Sequence, residues 1–169
     1  NLNDMQQMLN LFKYTFDGAP DGPNGTEGII YTDVLVEVLF ADDNDANLTN
    51  GTPNDIAIIQ AFALHGITLL SNAVIAHSPV SLAPGNIAIN ISANISATYS
   101  WALSSANCFY RVNDNQNWNS LSMTSNGNNF TATMPAQTNG NIVAYYISLT
   151  DNYGFESGIN PQESNIVPL

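Results

Sequence analysis

Positive charge is nearly absent from this chain. Lys13 and Arg111 are its 2 basic residues, against 14 Asp and Glu, for a net charge of −12. Nucleic-acid binding needs Lys and Arg to neutralise phosphates, so it is excluded, and anionic membrane surfaces are disfavoured for the same reason. Cysteine is almost as scarce. Cys108 stands alone, so no internal disulfide can form, and its place in an apolar run predicts a buried, inert thiol. No run of 18 or more apolar residues occurs, so no membrane-spanning helix is expected. A basic stretch leading into an apolar run is missing from the N-terminal region; a signal peptide, if one existed, is already gone.

Catalytic motifs are missing too. The sequence has no H-E-x-x-H zinc helix, no G-x-S-x-G elbow and no Gly-rich phosphate loop. Its histidines are His65, expected at a helix end, and His77, expected in a linker. Neither lies near Cys108 in sequence, so nothing there activates the thiol.

What is present divides in two. With 169 residues and 44% hydrophobic content, the chain can bury a real core in one domain or two small ones. Residues 3–14 carry Met5, Met8, Leu9 and Phe12 at helical spacing, followed by a turn-rich acidic loop with Asp17, Asp21, Asn24 and Glu27. A second helix is expected from about Asp33 to Ala41, capped by Thr32, with Tyr31, Val34, Leu35, Val38 and Leu39 on one face. A third is expected from Pro53 to His65, capped by Thr52 and stopped by Gly66. It is apolar nearly all round, which predicts burial. Residues 67–83 read as a connection.

From about residue 86 the period changes to alternation. Ile87, Ile89 and Ile91; Cys108, Tyr110 and Val112; Phe130, Ala132 and Met134; and Val143, Tyr145, Ile147 and Leu149 each mark a strand. Turn clusters at 113–117, 125–129, 138–141 and 151–154 separate them. The expected fold is therefore α + β in two units: a small helical segment over 1–77 and an antiparallel Ig-like or fibronectin-type β-sandwich over 78–169.

Acid is concentrated in the first unit. Residues 1–60 hold ten carboxylates against Lys13 alone. Such crowding favours either a solvated acidic face or a divalent counter-ion. The densest stretch offers Asp42, Asp43, Asp45 and Asn47 as candidate Ca²⁺ ligands, because Ca²⁺ collects six to eight oxygens. Counted from Asp43, the loop lacks the EF-hand glycine at its sixth position and has Asn54 at its twelfth, so it is not an EF-hand. The aromatics Trp101, Tyr110, Trp118, Tyr145, Tyr146, Tyr153 and Phe155 can supply a core or a sugar-stacking surface, with packing favoured.

Two stretches carry a resemblance. Leu39 to Gly66, with Asn50-Gly51-Thr52-Pro53 and His65-Gly66, resembles a segment near the end of the catalytic region in secreted bacterial metallopeptidases of the thermolysin and fungalysin type. There a histidine follows the proline; here Asn54 stands in its place. Phe109 to Gly154 resembles the Ig-like or fibronectin type III modules appended to secreted bacterial enzymes. The resemblance implies a secreted, extracellular, non-catalytic C-terminal portion of such an enzyme. Its partner would be an upstream catalytic domain of the same protein, and Zn²⁺ would belong only to that domain. The competing reading is a stand-alone module that binds glycan or protein.

Overall fold

The computed structural model describes residues 27–113 and 115–168. The helix expected over 3–14 and the acidic loop at Asp17, Asp21 and Asn24 lie outside the described residues. The chain divides between Asn72 and Ala73 into two compact units.

The first unit contains helix α1 (Glu27–Asp42), a 3₁₀ turn (Leu48–Asn50) and helix α2 (Asp55–Ala63). Its core is Leu35, Val36 and Leu39 of α1, Leu48, Ile59 of α2, and Leu69 and Leu70. The buried stripe of α1 runs through Thr32, Leu35, Val36 and Leu39 rather than through Tyr31, which is 54% exposed. Thr32 is not a cap, because the helix begins a turn earlier. Its buried hydroxyl donates to the Thr68 carbonyl at 3.4 Å, tying α1 to the segment after α2.

Helix α2 departs further from expectation. Ile59 is fully buried, but Ile56 is 61% exposed and Leu64 86% exposed. A nine-residue helix in so small a unit finds a neighbour for one stripe only, whatever its other faces carry. Its end matches the expected glycine stop. Gly66 sits at φ +73°, Gly66 N–H donates to Ala63 O, and Ile67 N–H donates to Phe62 O. These are the two bonds of a Schellman motif. A Cβ at Gly66 would meet open space, so Gly66→Ala costs only the left-handed backbone. The expected loss is about 1 kcal/mol in the urea unfolding free energy of this unit.

The second unit is a sandwich of two antiparallel four-stranded sheets, in the orders β1-β2-β6-β5 and β4-β3-β7-β8. The strands are β1 (Val74–His77), β2 (Ile89–Ser96), β3 (Leu103–Val112), β4 (Asn119–Ser122), β5 (Thr124–Asn126), β6 (Asn129–Met134), β7 (Ile142–Asp151) and β8 (Glu156–Pro168). β1 lies where the sequence reads as connection and helical segment, so residues 73–77 go with the sandwich. Four residues with one buried side chain, Ile75, show too little alternation to register, and only pairing with β2 defines the strand.

The alternation elsewhere has a direct cause. Successive strand side chains point to opposite faces, so apolar residues at every second position form one wall of the core. β2 runs strictly buried–exposed from Ile89 to Ser96. Ile89, Ile91, Ala93 and Ile95 face Cys108, Tyr110, Val143, Tyr145, Ile147 and Leu149 across the sandwich, all buried. The predicted turns are in place, with Gly127, Gly140, Gly154 and Asn113 at positive φ.

Candidate functional site

The acidic loop is built by local hydrogen bonding. Asp43 Oδ1 accepts from Asp45 N–H (3.4 Å), Asp45 Oδ1 from Asn47 N–H (3.0 Å), and Asn47 Oδ1 from both Thr49 N–H (3.2 Å) and the Thr49 hydroxyl (2.6 Å). Asn50 Nδ2 donates to Asp45 Oδ2 at 2.7 Å. Short side chains that fold back two residues along the chain are what Asp and Asn supply in turns.

Asp42 does something different. Its Oδ2 accepts from the Thr52 hydroxyl and from Asn54 N–H, and its Oδ1 from Asn54 Nδ2, each at 2.7 Å. Thr52, expected to cap α2, therefore gives its hydroxyl to the end of α1. The carboxylate sits at the positive end of α2, where the first N–H groups have no helical partner. Burial alone would raise the Asp42 carboxyl, but the bonds from Thr52 and Asn54 outweigh it and hold the carboxyl below its ordinary value. Asn54, which replaces the histidine of the resembling peptidases, is thus part of a helix–helix clamp.

These bonds bear on Ca²⁺. Both oxygens of Asp42 and of Asp45, and the oxygen of Asn47, already accept hydrogen bonds. Asp43 Oδ2 is buried without a hydrogen-bond partner. Among the described residues no group of three or more His, Cys, Asp and Glu side chains is arranged to hold a metal ion. The bonds gather Asp43, Asp45 and Asn47 in one loop and place Asp42 in the clamp between the two helices.

The reactive residues of the sandwich are also structural. Burial pushes the Cys108 thiol up to about 12, so the nucleophilic thiolate does not form near neutral pH. His77 ends β1 rather than lying in a linker. Its Nδ1 is 2.7 Å from the Ser92 carbonyl and its Nε2 is 2.8 Å from the Tyr145 hydroxyl. A carbonyl only accepts, so Nδ1 carries the hydrogen in its bond to Ser92, and Nε2 shares a hydrogen bond with the Tyr145 hydroxyl. Val80 N–H completes the chain by donating to the same hydroxyl at 2.9 Å. Asp151, almost fully buried at the end of β7, receives the N–H groups of Tyr153 and Phe155 at 2.9 Å each on Oδ1. Burial raises its carboxyl, and the N–H groups of Phe155, Tyr153 and Gly154 partly counter the rise.

The aromatics part company. Tyr110 and Tyr145 are core. Phe109 and Tyr146 are opposite one another on β3 and β7, on the face away from the core, with rings stacked at 5.0 Å and 14°. Trp118 meets Tyr146 edge-on at 4.9 Å, and the Arg111 guanidinium lies 4.8 Å from the Trp118 ring centroid. Phe109 and Tyr146 each cover one face of the other, and Arg111 covers one face of Trp118, so the cluster is partly packed against itself.

A concave site remains that sequence reasoning missed. Where β2 ends, β3 begins and the β5–β6 turn closes, a cavity of about 380 Å³ opens at one end of the sandwich. Ile95, Leu103 and Phe130 give it apolar walls, and Ser96, Ser100 and Asn128 stand exposed at its rim. Its residues are scattered over 95–130, and no single motif gathers them.

No protein-family profile matches the chain. No curated protein matches it. Among solved structures, a bromine derivative of the carbohydrate-binding module BhCBM56 is 12% identical at a TM-score of 0.38, covering 57% of this chain and 89% of its own. Astrotactin-2, a vertebrate-specific, perforin-like membrane protein involved in neuronal development, is 12% identical at a TM-score of 0.43. The match covers 87% of this chain and 30% of Astrotactin-2. Likeness this distant decides nothing about what the chain does.

Proposed function

We propose that the chain is a non-catalytic accessory portion of a larger secreted protein, with a helical unit followed by a binding sandwich of the Ig-like or fibronectin type III kind. One observation supports this reading: among the described residues, three groups able to do chemistry are committed to the scaffold. Cys108 is held as a buried thiol, His77 is bonded through both nitrogens, and Asp42 clamps two helices. The strand orders support the sandwich type. β1-β2-β6-β5 corresponds to an ABED sheet, and β4-β3-β7-β8 to a CFG sheet with one added edge strand.

The parent suggested by the sequence resemblance is a thermolysin- or fungalysin-like zinc peptidase. Ile56 on α2 and Leu64 just past its end, apolar and exposed, support a helical unit that completes something larger. The 169-residue chain is expected to leave casein uncleaved with or without added Zn²⁺, and the gene upstream of Asn1 is expected to encode an H-E-x-x-H helix. Cleavage by the isolated chain would end the non-catalytic reading; an upstream region without that helix would end the peptidase parentage.

A second reading, a stand-alone binding or adhesion module, is favoured by the cavity at the end of the sandwich. It survives if the upstream region lacks a peptidase.

A further inference from the structure

We propose that this cavity is a binding site for a neutral carbohydrate, taking one sugar ring of a glycan end-on. The inference rests on the reading of the sandwich as a binding module and deepens it by naming site and ligand.

The walls and rim divide by chemistry. Ile95, Leu103 and Phe130 form the apolar wall, with Ile95 buried and the other two half-exposed. Ser96, Ser100 and Asn128 form the rim with hydroxyls and an amide, and no charged side chain lines the cavity. A pyranose ring has the complementary division: C–H groups on its faces and hydroxyls around its edge. Serine hydroxyls and an asparagine amide both donate and accept, so they can match sugar hydroxyls in either sense. A volume of about 380 Å³ lies within the ~300–1,000 Å³ typical of small-molecule sites.

Charge narrows the class. A ligand with carboxylates or sulfates would meet no cation in the cavity and a chain of net charge −12 around it. A cationic ligand would find no carboxylate there. A neutral ligand suffers neither penalty.

The frame is fixed before a ligand arrives. Asn128 takes Ile95 N–H on its backbone carbonyl at 2.8 Å, which locks the β5–β6 turn to the end of β2. The 3₁₀ turn Ser100–Ala102 is held by Ala102 N–H on Tyr99 O, and by Asn152, which donates its N–H to Ala102 O and its Nδ2 to Trp101 O. A preformed site avoids the entropy of ordering loops on binding.

The test is calorimetric titration of the full 169-residue chain with neutral glucan, mannan and galactan hexaoses, and with anionic polygalacturonate and heparin fragments. At least one neutral hexaose is expected to bind, and the anionic fragments are not. Ser100→Trp fills the cavity mouth and is expected to weaken binding at least tenfold. Asn128→Ala removes the amide but keeps the backbone bond to Ile95, and is expected to weaken it several-fold. Thermal melts of both variants check that they fold. Trp118→Ala, on the outer face of the other sheet, is expected to bind as the wild type does. A neutral glycan bound equally by wild type, Ser100→Trp and Asn128→Ala overturns the site and leaves the binding-module reading standing. Binding of the anionic fragments alone overturns the ligand class and also leaves that reading standing. A chain that binds no glycan overturns the proposal, and the module reading falls with it only if a protein array is also blank.

Discussion

Tyr145→Ala is expected to lower the unfolding free energy of the sandwich by about 4 kcal/mol, and Tyr145→Phe by about 2 kcal/mol. Tyr145 is fully buried on β7, opposite Tyr110 of β3 in the same sheet. Removing its ring empties a large volume that the surrounding strands cannot fill by collapse. The phenylalanine isolates the hydroxyl. Without it, Val80 N–H loses its acceptor and His77 Nε2 loses its hydrogen-bond partner, both part-buried. An unmet polar group away from water costs about 1–3 kcal/mol, which sets the smaller figure. Urea melts of the two variants read the difference. If Tyr145→Phe matches wild type, the His77–Tyr145–Val80 chain contributes nothing and the segment after β1 is held by other contacts.

Asp42→Ala is expected to weaken the helical unit by about 2–3 kcal/mol, a large share of what so small a unit can have. Three donors from the start of α2 converge on this carboxylate, and alanine strands all of them. Bonds to a charged acceptor are about 1.5–3 kcal/mol each, but partial exposure keeps them from adding. The pH dependence has a definite sign. The folded value lies below the ordinary one of 3.8, so the unfolded chain takes up its proton first as pH falls. The stabilisation is complete above that ordinary value and disappears as pH drops through the folded one. Acid melts of wild type should steepen below about pH 4, and those of Asp42→Ala should not. The calcium expectation for this loop is checked by melting wild type with Ca²⁺ and with chelator, because an ion bound only by the folded state raises the melting temperature. A wild-type melting temperature unchanged by chelation would remove the cation from this loop.

The same residues show why parts of this protein could be read from sequence and others not. The strands from Ile89 onward were legible because both sheets bury one face, and burial of one face imposes a two-residue period. The turns were legible because Gly127, Gly140 and Gly154 adopt backbone conformations that other residues resist. Gly66 was legible for the same reason. β1 escaped because a short edge strand with one inward side chain carries no period to detect. Burial of α2 was misjudged because hydrophobicity says a residue favours a partner, not that the fold supplies one.

The sequence by itself determined the two-part division, the alternating core of the sandwich and the buried thiol. Each follows from local period, composition or charge, which need no knowledge of distant contacts. Only the tertiary structure decided where the acidic side chains point and where a ligand fits. Asp42 and Asn54 are twelve residues apart, and the cavity draws on residues from Ile95 to Phe130. Asp42 forms a helix clamp because its donors, Thr52 and Asn54, stand at the entrance to the next helix. The concave site became visible only when β2, β3 and the β5–β6 turn were brought to one end of the sandwich, since a shared cavity depends on strand pairing rather than on any spacing along the chain.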